Sequence, residues 1–175
     1  MNTILDILGA SVIGGLVILT LMVSLNNTAE TNRALSRNLS LQQCVGTIEE
    51  LFLYDTATAG RGVPDSVCSI ITADSDRFVF IGDETMDEVI DTIAYYTEYA
   101  GNDTLIRCRT SSGQIITLGE GKVQFRYYDT GGRVTISLLA IRSVDITLCL
   151  RDILESFGNR SRAFLQKRIH LRNIH

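Results

Sequence analysis

Histidine occurs only at His170 and His175, and proline only once, at Pro64. With both histidines in the last six residues, histidine general-base catalysis is nearly excluded and no histidine stands at zinc-ligand spacing from a cysteine. The signatures GxxxxGK[ST], HExxH and GxSxG are absent too, and no two cysteines stand at CxxC spacing. The sequence therefore predicts no enzymatic activity, no metal and no cofactor. Charge is missing altogether from residues 7–29. Acids outnumber bases, 20 to 16, but residues 151–175 hold 2 acids against 6 bases, so the body is acidic and the tail basic. Residues 74–103 carry nine acids and Arg77 as the one base, which would repel phosphates and argues against a nucleic-acid partner.

What the sequence does have is an apolar start. Hydrophobic residues make up 45% and charged residues 21% of the chain, ordinary values for a globular protein, so the excess apolarity must be local. It lies in MNTILDILGASVIGGLVILTLMVSL. About 20 apolar helical residues span a hydrocarbon core of about 30 Å, so residues 1–27 read as a transmembrane helix. A cleaved secretory signal fits less well, because there is no basic leading region and no small-x-small cleavage site.

Neither proline nor glycine falls between Gly15 and Gly46, so the helix has no reason to stop at the membrane surface. In residues 28–54, Leu35, Leu39, Leu41, Cys44, Val45, Ile48, Leu51 and Phe52 recur at spacings of three and four. One helix of about 50 residues is predicted. Its first half wants lipid or other helices, and its second half wants a sheet. Gly9, Ala10, Ser11, Gly14 and Gly15 supply the small-xxx-small pairs Ala10/Gly14 and Ser11/Gly15, which permit close helix approach; glycine is also simply commoner in membrane helices.

After TATAGRGVPDS the period changes to two. Strands are predicted at 77–82, 92–96, 105–110, 115–118, 122–128, 133–151 and 164–172, with DTGG at 129–132 as a hairpin turn and SFGNRSR as the last loop. Alternation implies one covered sheet face, and the amphipathic half of the helix is the available cover. The predicted fold class is α+β, a long N-terminal helix packed on an antiparallel sheet that occupies 55–175. The cysteines Cys44, Cys68, Cys108 and Cys149 are compatible with buried thiols or with any of three disulfide pairings. Cys108 shares parity with Ile106 while Cys149 lies opposite the Val144, Ile146 and Leu148 face. That disfavours a 108–149 bond and leaves Cys44 with Cys68, across the joint, as the preferred pair.

Three features could carry chemistry. GEGK at 119–122 is too short for a phosphate loop and reads as a structural turn. The acids Asp74, Asp76, Asp83, Glu84, Asp87, Glu88 and Asp91 lack the spacing of a calcium loop and read as a solvated segment. Tyr95, Tyr96, Tyr99, Tyr127 and Tyr128 read as cross-strand and core-edge residues rather than a ligand surface.

Several segments together resemble the type IV pilin-like proteins, especially the minor pilins and the pseudopilins of type II secretion. NTILD at 2–6 is similar to the FTLIE that begins mature pilins. FIGDETMDEVIDTIAYY, TLIRCRT, LGEGKVQFRYYDTGG, IRSVDITLCLRD and KRIHLRN resemble the successive strands of the larger minor-pilin type. The resemblance implies a helix held in the bacterial inner membrane, then packed against the helices of other pilin-like subunits at the centre of a filament, with the globular domain exported to the periplasm or cell exterior. It also implies a role for Asp6. A carboxylate inside an apolar helix costs about 2.5–3.5 kcal/mol at the bilayer centre and less near the end, so it wants a cation. The amine of a neighbouring N-terminus would supply one. Prepilins carry a basic leader ahead of the mature helix, whereas only Met1 precedes the matching segment, which leaves leader removal and N-terminal methylation open. Arg33 and Arg37 beyond the span give no positive-inside support for export. The expected function is that of a structural filament subunit assembling through Asp6, Gly9, Ala10, Gly14 and Gly15. The alternative is a non-polymerising, single-span accessory subunit of a larger membrane complex, and an anchored enzyme or ligand-binding module is the third reading.

Overall fold

The computed structural model describes residues 2–83, 85–101, 103–110, 112–151 and 162–171. By contact clustering the chain divides into two compact units, Met1–Leu39 and Ser40–His175. A single α-helix, α1 (Asn2–Thr58), makes up the first unit and continues into the second. It is 57 residues long, against the expected 50 or so, and no described residue interrupts it. Gly60, with φ of 78°, takes a left-handed conformation just past its end, a position that β-carbon-bearing residues adopt at a cost.

In the second unit, seven strands form one antiparallel sheet in chain order: β1 (Ile70–Ala73), β2 (Arg77–Gly82), β3 (Asp91–Ala100), β4 (Asp103–Arg109), β5 (Ile115–Tyr128), β6 (Ser143–Arg151) and β7 (Arg162–His170). The α+β class read from the sequence is the observed one. Alternation holds in β5, where Val123, Phe125 and Tyr127 are buried and Lys122, Gln124 and Arg126 exposed. The covered face packs on the helix through Val45, Ile48 and Phe52, each less than a tenth exposed. Phe52 is fully buried, with its ring centroid 4.9 Å from Tyr95, 5.9 Å from Phe125 and 6.2 Å from Phe78.

Three strand expectations need correction. The segments 115–118 and 122–128 are one strand, so GEGK is no turn. Residues Ile115–Glu120 of β5 pair with β4, and Gly121–Tyr128 pair with β6, so the strand passes from one ladder to the next between Gly119 and Gly121. A β-carbon on Gly121 would lie 2.0 Å from the Cys149 carbonyl oxygen, and its φ is 146°. Only glycine lets the backbones approach so closely there. Second, 133–142 is not part of a strand. The DTGG turn is present, with the Arg133 amide donating to Asp129 Oδ1 at 2.8 Å, but only Val134 bridges back to Tyr128 before a 3-10 turn at Leu138–Ala140. Third, β1 has no counterpart in the sequence reading. The final strand begins and ends two residues earlier than expected; Arg172 and the SFGNRSR loop up to Ser161 lie outside the described residues.

Where β5 leaves β4, its backbone would be exposed as an edge, a liability in a sheet. Thr97 closes it. The Thr97 hydroxyl donates to the Val123 carbonyl and accepts from the Val123 amide, each at 3.1 Å, and the Phe125 amide donates to the Ser75 carbonyl at 2.8 Å.

Gly121→Ala should lower unfolding free energy by more than about 2 kcal/mol, through forced separation of β5 from β6. Gly46→Ala, where an added β-carbon meets nothing within 4 Å on a helix, should be neutral or stabilise by up to about 1 kcal/mol. Denaturant titration of the full chain in detergent micelles measures both.

Candidate functional site

The residues expected to drive assembly lie on α1 within the first unit. Thirteen large apolar side chains from Ile4 to Leu25 are 52–69% exposed, so this unit buries none of them. At about 1.5–3 kcal/mol for each full burial, on the order of 20 kcal/mol of hydrophobic stabilisation is left for lipid or other helices to supply. Two hydroxyls in this stretch are satisfied internally: Ser11 donates to the Leu8 carbonyl and Thr20 to the Leu16 carbonyl, each at 2.8 Å. Asp6 is different. It is exposed, it carries acceptors only when ionised, and no described residue donates a hydrogen bond to it.

At 3.6 residues per turn, Asp6, Ala10 and Gly14 climb one side of the helix four residues apart, and Gly9 flanks that row. Gly15 falls about half a turn away from Asp6. An added β-carbon at Gly9, Gly14 or Gly15 meets nothing within 4 Å, so packing inside the chain gives no reason for these glycines. Each costs a helix about 1 kcal/mol relative to alanine.

The cysteines correct another expectation. Cys44 and Cys68 are both thiols, and the bond between them is not formed. The Cys44 thiol donates to the Leu118 carbonyl in β5 at 3.7 Å, and the Cys68 thiol to the Ile70 carbonyl in β1 at 3.2 Å, so the two are committed to different strands.

The acidic segment between β2 and β3 is built around Asp83, which is buried rather than solvated as expected. Its carboxylate accepts from the amides of Met86 at 2.6 Å, Asp87 at 3.3 Å and Glu88 at 3.2 Å. Met86 and Glu88 have φ near +60°, a conformation non-glycine residues rarely hold without such support. The loop presents Met86, 72% exposed, and Val89, 58% exposed, with Asp87 and Glu88 also exposed. Among the described residues no cluster of three histidine, cysteine or acidic side chains could hold a metal.

Of the tyrosines, Tyr95 and Tyr127 are core residues. Tyr95 donates to the buried Asp55 carboxylate at 2.5 Å, and burial, reinforced by the Asp55 charge, pushes its phenol far above the ordinary range. Burial, then the charges of Asp74 and Asp76, do the same to Tyr127, which donates to the Asp74 carbonyl at 2.8 Å. Sequence reasoning missed Asp55, an acid on the helix's sheet-facing side whose only signal was its place three residues after Phe52. On the opposite sheet face, the Arg168 guanidinium lies 3.9 Å from the Tyr128 ring centroid and donates two hydrogen bonds to Asp145, at 2.6 and 3.0 Å. The Tyr128 hydroxyl donates to the same carboxylate at 3.0 Å.

No protein-family model, curated protein or solved structure matches the chain.

The hydrogen bonds from Arg168, helped by Tyr128 and opposed by burial, hold the Asp145 carboxyl below its usual range. A depressed folded-state pKa contributes stability above the unfolded value of about 4 and loses it as pH falls through the folded value. Asp145→Asn should therefore lower the melting temperature at pH 7, and the gap from wild type should close as pH drops below about 4 in a calorimetric series.

Proposed function

We propose that the chain is an anchored structural subunit that assembles with like subunits through its N-terminal helix, in the manner of the minor pilins and pseudopilins it resembles. The observation that carries this reading is the helix itself. One unbroken element leaves thirteen apolar side chains uncovered at its start, then seats Val45, Ile48 and Phe52 in the sheet at its end. The first part is long and apolar enough to cross a membrane. A simple anchor needs only that. Asp6 and the glycine-bearing side of the helix are the features a simple anchor does not need, since they cost insertion energy and helix stability and no contact among the described residues uses them.

Both acquire a use when helices pack on one another. Small residues let backbones approach, and a neighbour's N-terminal amine gives the Asp6 carboxylate a cation in a medium where an unpaired charge is expensive. The pairing also sets the axial offset between adjacent helices. In this reading the membrane is the bacterial inner membrane before assembly, the sheet domain is exported, and the chain performs no catalysis.

Asp6→Ala and Gly14→Val should each reduce cross-linked oligomers of the full chain in lipid vesicles by tenfold or more, while the melting temperature of the sheet domain stays within about 2 °C of wild type. Unchanged oligomer yield in both variants would remove the reading. Co-purification with a fixed set of other proteins, without self-oligomers, would favour the non-polymerising accessory subunit instead.

A further inference from the structure

The charges of the second unit are sorted across its sheet. On the face turned away from the helix, β5, β6 and β7 present Lys122, Arg126, Arg151, Arg162 and Arg168 against two acids, Glu120, which alternates with Lys122, and Asp145, which is already bonded to Arg168. Lys122, Cys149 and Phe164 share one cross-strand row, and Arg126, Asp145 and Arg168 another. Phe164 stands 65% exposed on this face. Between the rows, Gln124, Thr147 and Gln166 floor a polar hollow of about 260 Å³. No ion pair joins Lys122, Arg126, Arg151 or Arg162 to another described residue. In a chain of net charge −4 such a face is a local inversion.

The β2–β3 loop near the other edge of the sheet has the complementary make-up. Asp87 and Glu88 surround the exposed apolar side chains of Met86 and Val89, and Asp83 fixes the backbone from beneath. We infer that the basic β5–β7 face docks the acidic β2–β3 loop of a second copy of this chain, with Phe164 meeting Met86 and Val89 and Lys122 meeting Asp87 or Glu88. The two surfaces differ, so the contact is heterologous and leaves one free surface of each kind at the ends of an open assembly. Opposite charges select this pairing over face-to-face or loop-to-loop contacts, which juxtapose like charges, and they make it sensitive to salt. The inference rests on the assembly reading above, adding to it which surfaces of the globular units meet.

The chain has only two lysines, Lys122 and Lys167, which makes carbodiimide coupling of amine to carboxylate a sharp probe. Lys167 is paired with Glu49 of the same chain and serves as the internal control. Full-length chain, half of it ¹⁵N-labelled, is coupled in lipid vesicles and mapped by mass spectrometry. Mixed-isotope links from Lys122 to Asp87 or Glu88 are expected, while the Lys167 link stays within one isotope. The double variants Arg126→Glu/Arg162→Glu and Asp87→Lys/Glu88→Lys should each lose the mixed links at least tenfold, and a one-to-one mixture of the two should recover them, a result that misfolding could not produce. Oligomers by sedimentation without mixed Lys122 links would overturn the interface and leave helix-driven assembly standing. Absence of oligomers would overturn both. A gel shift of single-stranded DNA abolished by Arg126→Glu/Arg162→Glu, with no mixed links, would assign the face to nucleic acid and overturn the proposal.

Discussion

Among the described residues, the inner face of the sheet is covered chiefly by the helical segment that carries Val45, Ile48 and Phe52. Phe52 packs against Phe78 of β2, Tyr95 of β3 and Phe125 of β5, so a single side chain ties together strands far apart in the sequence. Aromatic pairs of this kind contribute about 0.5–1.5 kcal/mol each beyond the area they bury. The adjacent Asp55–Tyr95 hydrogen bond fixes where along the helix the sheet sits, since a buried acid tolerates few alternative partners. Without this seat the sheet would expose an apolar face.

The same constraint explains how the sheet curls. To wrap a narrow helix, β5 must leave one neighbour and take another, and Gly119 and Gly121 provide the place. The edge this opens is closed by the Thr97 hydroxyl and the Ser75 carbonyl rather than by a further strand. Sorting of charge follows from the same layout. With one face committed to the helix, most charged side chains fall on the outer face and the loops, Asp55 and the Glu49–Lys167 pair excepted, and the acids gather in the β2–β3 segment while the bases gather on β5–β7.

Much of this was legible in the residues. A helix without proline and with few glycines, and strands such as RFVFIG and KVQFRYY, announce themselves because each position's environment repeats with the element's own period. What failed to show depends on neighbours. Val134 and Ile136 alternate like strand residues, yet they are 65% and 87% exposed, because the segment touches β5 only at its end, through a single bridge to Tyr128, and forms no ladder. Gly119 and Gly121 look like a turn until the β4 and β6 ladders are known. The four residues of β1 are too few to display a period, and Asp55 looks like a solvated acid until Tyr95 is placed above it. On α1, Asp6, Ala10 and Gly14 follow one another at four-residue spacing while Gly15 falls about half a turn from Asp6, a relation that shows only when all positions are laid on one helix.

The account's central claim is that a single helix meets two environments, lipid or other helices at its start and a protein core at its end. Methyl-labelled full-length chain in micelles, monitored by NMR with a lipid-soluble and a water-soluble relaxation agent in turn, tests it most directly. The account predicts that the lipid-soluble agent broadens methyls on every side of the helix from Ile7 to Leu25, and that neither agent reaches Val45 and Ile48. Broadening of Val45 and Ile48 by the water-soluble agent, or strong broadening of Ile7 to Leu25 by that agent alone, would contradict it.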